Sequence, residues 1–303
     1  MELRQLEYFV AVAEEQNFTR AAQRVHISQS GVSAQIRALE KELGAELFNR
    51  SARTATLTVA GKAALEHART ALNAAEAVTQ AVGEVTDLIR GTLTVGMVVG
   101  CTVTPLFDAL AEFHRAHPGV EISLLEDNSD RLAEAVRAGA LDVALIGTAT
   151  AEPDGLEALT LIREQLVAAV PTAHPLAARR RITLAELCAH PLVCMPPGTG
   201  VRTVFDRACA TQNLHPVVAL QAGAADAIAD LAARGLAVAV LSDSMAAAHR
   251  DRLVTLTLEG AETPAFLALI WKDTGRPVVR ELLVHSRRAF HRAGLGEGPD
   301  GPR

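Results

Sequence analysis

Between Ser28 and Leu43 apolar residues recur at helical spacing, with Val32, Ile36, Leu39 and Leu43 on one face. Ser28 stands where an N-cap would offer its side-chain oxygen to a free amide of the first turn. Ile27 and Val32 flank it as a hydrophobic staple, and Gly44 ends the pattern. The opposite face, Ser30, Ser33, Ala34, Arg37 and Lys41, is short, polar and cationic, with no acid. Upstream, Leu6, Phe9, Val10 and Ala13 make the inner stripe of a first helix that ends near Glu15. Asn17-Phe18 reads as a turn, and Thr19 as the cap of a short helix from Arg20 to Val25, where Ala21 and Ala22 allow close packing. Helix, short helix, tight turn, helix is helix-turn-helix geometry. Asn49 to Thr58 alternates as a small hairpin, a wing, carrying Arg50 and Arg53.

From Thr58 to Leu88 the pattern predicts one long helix. Leu65, Ala68, Leu72, Ala75, Val78, Val82, Val85 and Ile89 step by three or four, close to a heptad seam. Such a seam can pack on its own chain. An exposed seam of this length is unusual on a monomer, which favours dimerisation through Leu65, Leu72, Val78, Val82 and Val85. Two-fold symmetry would then call for a double-stranded DNA site arranged as an inverted repeat.

Arg90-Gly91 marks a boundary, beyond which strands and helices alternate. GTLTVGMVV, HPGVEISLLE and LDVALIG read as strands separated by helices, a βαβαβ unit with a parallel sheet. Strands over Leu156–Leu161 and Glu164–Val170 lead to a second α/β lobe, and the strand and helix after Phe266 return to the first. The expected organisation is a winged helix-turn-helix domain at 1–58 and a linker helix at 59–90, followed by a two-lobed α/β domain at 91–295. Lobe I is 91–161 with 265–295, lobe II is 162–264, and a Gly/Pro-rich tail at 296–303 is expected to be disordered.

A chain of 303 residues with about half of them apolar supports two domains, with Ala and Val filling interiors poor in aromatics. The net charge of −6 does not suggest a nucleic-acid binder, but the charge is sorted. Residues 1–58 carry seven acids and seven bases, yet Gln16 to Leu39 and Leu47 to Leu65 contain bases and no acid. On the third helix, Gln can pair bidentately with adenine, Ser can reach either base type, and Arg can take guanine or phosphate. MELRQLEYF shows no signal peptide, and the long uncharged run Gly91 to Phe107 is too broken by Thr, Gly and Pro to span a membrane. Cytoplasmic location and no membrane partner are expected. Cys101, Cys188, Cys194 and Cys209 lack metal or redox spacing and read as free thiols.

The run FTRAAQRVHISQSGVSAQIRALEKELGAELFNR…LTVAGK resembles the DNA-binding domain of the LysR-type transcriptional regulators. Ala21-Ala22, Ser28-Gln29, Ser33, Ile36, Leu39-Glu40, Leu43-Gly44, Leu47-Phe48, Arg50, Leu57-Thr58 and Gly61 fall where that family has them. Gly31 and Ala34 depart from it, the first loosening the helix start and the second removing a DNA contact. With the pattern above, the resemblance implies DNA contact by Thr19, Arg20, Gln29, Ser30, Ser33, Arg37, Arg50 and Arg53. It also implies a linker helix that pairs two chains into a homodimer or homotetramer, an effector domain with the periplasmic-binding-protein fold, and RNA polymerase as a candidate partner.

In open α/β sheets a ligand sits beyond the carboxyl ends of the strands. That rule selects Cys101, Thr102, Asn128, Ser129, Gly147, Thr148, Thr199, Gly200 and Arg202 as candidate effector residues. Thr102, Ser129 and Thr199 open helices, so free amides and hydroxyls in the cleft would favour a small anion such as a carboxylate. Plain helix capping, and a structural ion pair for Arg202, are the competing readings. Cys101 lies near a helix start, where a thiolate is stabilised, so a thiol-based redox sensor is the alternative. A solute-binding protein and an α/β enzyme are further alternatives. GxSxG, HExxH and complete GxGxxG motifs are absent, and His114 and His117, near a helix end, read as solvent-exposed. No catalytic residue, cofactor or metal site is expected.

Overall fold

The computed structural model describes residues 1–49, 54–85, 90–99, 101, 103–151, 153–261, 263–272 and 275–295, with side chains over the same ranges except 79–85. The chain divides into two compact units, the first being Met1–Gly91 with the short stretches 138–140 and 274–277.

In the first unit, α1 (Leu3–Glu15) buries Leu6, Phe9, Ala11 and Val12. Asn17, not Thr19, caps α2 (Phe18–Arg24), its Oδ1 accepting the amides of Thr19 and Arg20 at 2.8 and 3.1 Å. An Asn one residue before an aromatic was read as a turn, yet its carboxamide oxygen is as good a cap as a hydroxyl. Ser28 caps α3 (Gln29–Leu43), and Gly44 ends it in the left-handed conformation. Gly31 does not interrupt α3, since its amide donates to Ser28 Oγ at 3.1 Å. Ile27 stays exposed. The wing pairs β1 (Phe48–Asn49) antiparallel with β2 (Thr56–Leu57). Arg50 and Arg53 lie outside the described residues.

Thr58 starts α4 (Val59–Val85) by accepting the Gly61 amide on its Oγ1 at 2.9 Å. The proximal half of the α4 stripe is used within the chain, because Ala68 is buried and Leu65 and Leu72 pack on the core of α1 to α3. Val78 is exposed, and the side chains of Val82 and Val85 lie outside the described residues.

The second unit begins with β3 (Gly91–Val98), α5 (Thr104–Ala116), β4 (Val120–Asp127), α6 (Ser129–Arg137), β5 (Val143–Thr148) and β6 (Glu157–Glu164). After Gln165 it continues with β7 (Leu166–Pro171), a 3-10 turn at Pro175–Ala178, β8 (Arg181–Thr183), α7 (Leu184–Leu187), β9 (Leu192–Cys194), α8 (Gly200–Thr211) and β10 (Val218–Gln221). Then come α9 (Ala225–Ala233), β11 (Val238–Ser242), α10 (Asp243–Ala247), β12 (Leu253–Glu259), β13 (Ala265–Trp271) and α11 (Pro277–Arg292). One sheet has the order β4-β3-β5-β13-β6 and the other β10-β9-β11-β7-β12-β8. The pair β3–β5 is parallel as the βαβ pattern requires, but β13 enters antiparallel between β5 and β6, so the sheet is mixed. Because Glu164 pairs with Ala265, the first lobe keeps β6 to Glu164, beyond the expected switch at 161/162. Among the described residues no helix is long and apolar enough to cross a membrane.

Candidate functional site

The outward face of α3 follows from its amphipathic pattern. Val32, Ile36 and Leu39 are buried, which turns Gln29, Ser30, Ala34 and Arg37 to solvent and leaves Ser33 half-buried. Gln29 Nε2 donates to Ser33 Oγ at 3.2 Å, and the hydroxyls of Ser28 and Ser30 are 3.1 Å apart. Thr19, Ser33 and Arg37 line one concavity of about 340 Å³, joined there by Asn17 and Asn49. Neither Asn was singled out in the sequence, since each lies outside the helical periodicity. Asn49 is held on the wing by its Nδ2, which donates to Thr56 Oγ1 at 3.2 Å. Arg20 is not a free cation: its guanidinium donates to the Glu15 carbonyl oxygen, and its Nε lies 3.4 Å from the Glu15 carboxylate. Arg24 is likewise paired with Glu14 at 2.7 Å. The acids of α1 thus neutralise the cations of α2, while α3 keeps Arg37 exposed.

In the two-lobed unit the selected loops do converge, but on one another. Asn128 Oδ1 caps α6 by accepting the Arg131 amide at 3.0 Å. Ser129, expected to open the helix with its hydroxyl in the cleft, is instead buried, with its Oγ accepting the Gly147 amide at 3.1 Å. The Asp130 amide donates across the lobes to the Gly198 carbonyl oxygen at 3.3 Å. Thr199 does not cap α8, because its Oγ1 donates to the Pro196 carbonyl oxygen at 2.9 Å. Thr148 Oγ1 bonds to Thr150. Arg202 takes the structural role, its Nε bonding Asp206 at 2.8 Å and an Nη bonding the Met195 carbonyl oxygen at 3.2 Å. A Cβ placed on Gly200 would lie 2.2 Å from the Gly147 carbonyl carbon, so β5 and the start of α8 touch backbone to backbone. The amides expected to be free for an anion are therefore partly committed, and the lobes are drawn together at this point. Thr102 lies outside the described residues.

Cys101 is half-buried, and burial raises its thiol, with the neighbouring Glu126 charge adding and a hydrogen bond from the Val103 backbone opposing. The thiolate is therefore not stabilised there, because α5 begins only at Thr104. Burial pushes both Cys194 and Cys209 up to about 12. Cys188, read only as a free thiol, has its Sγ 3.9 Å from that of Cys209. Iodoacetamide at neutral pH is expected to label Cys194 and Cys209 about 10³-fold more slowly than an exposed thiol, since only the thiolate reacts. Mass spectrometry of timed alkylation would check this, and labelling at the rate of a free peptide would refute it.

Residues 3–62 match the family model described as bacterial regulatory helix-turn-helix protein, lysR family. Residues 86–290 match the LysR substrate binding domain. The uncharacterized HTH-type transcriptional regulator YnfL of Escherichia coli K12 is 33% identical over 295 residues, covering 96% of this chain and 99% of its own. The transcriptional dual regulator GltC of Bacillus subtilis 168 is 32% identical over 283 residues, 93% of each chain. Among solved structures, full-length OxyR from Pseudomonas aeruginosa superposes with a TM-score of 0.78 at 24% identity, covering 100% of this chain and 99% of that one, a likeness of fold. Full-length CbnR in complex with its target DNA gives 0.59 at 27% identity, covering 95% and 100%.

Proposed function

The chain belongs to the LysR-type transcriptional regulators, and from that membership we propose how its residues divide the work. It is a DNA-binding transcriptional regulator with an effector-binding domain. The reading of DNA is assigned to Gln29, Ser33 and Arg37, together with Ser30, Thr19, Arg50 and Arg53. The observation that carries this is the exposed, acid-free N-terminal half of the capped helix α3. The distal α4 seam, with Val78 exposed, pairs two chains on an inverted repeat. A small anionic effector acts by population shift, trading the Gly147–Gly200 and Asp130–Gly198 contacts for its own and changing how the paired chains sit on DNA. Contact with RNA polymerase in the cytoplasm is the expected output.

Footprinting on the gene's own upstream DNA, and on genomic fragments selected by the protein, tests this. Protection over an inverted repeat is expected, and small carboxylates should alter its length. Gln29→Ala should weaken specific binding roughly 5- to 150-fold per half-site, the worth of about 1–3 kcal/mol per lost bidentate pair, and relax preference at one base in each. A Gln29→Ala protein with unchanged affinity and sequence preference would remove Gln29 from the reading head.

The redox alternative has one observation in its favour, the 3.9 Å approach of Cys188 and Cys209. Desolvation of both thiols opposes it. If DNA binding responds to peroxide in the parent protein and not in Cys101→Ser or Cys188→Ser, the thiol reading displaces the effector reading.

A further inference from the structure

His117, expected from the sequence to be solvent-exposed near a helix end, is surrounded by neighbours in the structure. It closes the C-terminus of α5, half-buried, with its amide donating to the Phe113 carbonyl oxygen at 2.9 Å. Glu281 and His285 lie four residues apart on α11, so their side chains share one helix face. One ligand atom from each of His117, Glu281 and His285 lies within 4.8 Å of the others.

We propose that His117, Glu281 and His285 form a binding site for a divalent transition-metal ion of the zinc class, clamping α5 to α11. Two imidazoles and one carboxylate are a donor set suited to zinc and its neighbours in the first transition row. Tetrahedral bonds of about 2.1 Å bring donor atoms to about 3.4 Å from one another. Closing the site from 4.8 Å therefore asks the donor atoms to approach by about 1.4 Å. The surroundings suit a ligand. The Phe113 ring stands against both imidazoles, with centroids 5.0 Å from His117 and 6.1 Å from His285. His285 Nδ1 is buried without a hydrogen bond. Glu112 Oε2 lies 3.8 Å from it, and the same carboxylate is paired with Arg292. A carboxylate beside a ligating imidazole orients the ring. Three protein donors leave a fourth position for water or an exogenous ligand.

The test uses the full-length protein, stripped with a chelator and titrated with Zn²⁺ against a chromogenic competitor, and with Co²⁺ by visible absorption. One equivalent per chain is expected, together with a Zn²⁺-dependent rise in melting temperature. His117→Ala and Glu281→Gln should each weaken binding at least tenfold and abolish that rise, while His291→Ala, at an exposed histidine on the same helix, should leave both unchanged. The melting temperature of each stripped variant, compared with the stripped parent, separates loss of metal from loss of fold. Glu281→Gln keeps the side chain's size and so removes a ligand without opening a cavity. No saturable binding by the parent, or equal binding by the parent and a folded Glu281→Gln, would overturn the proposal.

Discussion

Gly200→Ala is expected to lower the melting temperature of the two-lobed unit by roughly 4–8 °C, the equivalent of about 2 kcal/mol in a domain of this size. It is also expected to abolish the effector's influence on DNA binding. The new Cβ would lie 2.2 Å from the carbonyl carbon of Gly147 and 2.6 Å from both its Cα and its oxygen. All three are backbone atoms of β5, which two neighbouring strands hold in place. No rotamer change relieves such a clash, so the start of α8 must retreat. That retreat breaks the Asp130–Gly198 hydrogen bond between the lobes. Gly223→Ala is the control, because nothing lies within 4 Å of a Cβ there. Calorimetry that finds the two variants equally stable would show that the inter-lobe contact yields freely.

Glu40→Ala is expected to loosen the wing by about 2–3 kcal/mol, read as roughly 30- to 150-fold faster exchange of the Leu47 and Phe48 amides. Glu40 is buried on α3, and its Oε1 accepts both amides, at 2.8 and 3.4 Å. Truncation strands two donors in an interior closed by Phe48, whose ring meets Phe9 and Phe18 edge-on at 5.6 Å. DNA affinity should fall with the exchange protection, because the same carboxylate ties the recognition helix to the wing. Glu40→Gln retains an acceptor oxygen and should lose far less. Unaltered exchange in Glu40→Ala would mean that water or another group takes over both amides.

The recognition helix was legible because each of its signals is local: a Ser cap, an apolar stripe and a terminal Gly. The role of Glu40 was not, since an acid within a run of acids looks like a solvated surface until the fold brings the Leu47 and Phe48 amides to it. In the effector domain the rule that loops follow strands found Ser129, Gly147 and Gly200, which do meet. What the rule could not supply was their use, because a serine at a helix start serves equally as cap, ligand or bridge, and only tertiary packing chooses. The strand β12 was missed although Leu253, Leu256 and Leu258 are buried, because the irregular spacing of those residues breaks simple alternation. His117 and His285 stand near opposite ends of the effector domain's sequence, and no local motif joins them.

The placement of β13 has a consequence for synthesis. It is the last of the described strands to be made, yet it fills the middle of its sheet, between β5 and β6. The whole of the other sheet, β7 to β12, is encoded in between. On the ribosome, lobe II can therefore be finished while lobe I still presents two unpaired strand edges. The interval from Glu164 to Ala265 takes roughly 5–20 s at ordinary elongation rates. During that window the apolar edges of β5 and β6 are templates for any other extended segment. The DNA-binding unit, made first and closed by local contacts, needs no such wait. A shortage of chaperones, or a premature stop before Ala265, should thus yield chains with an intact DNA-reading head attached to an aggregating partner lobe.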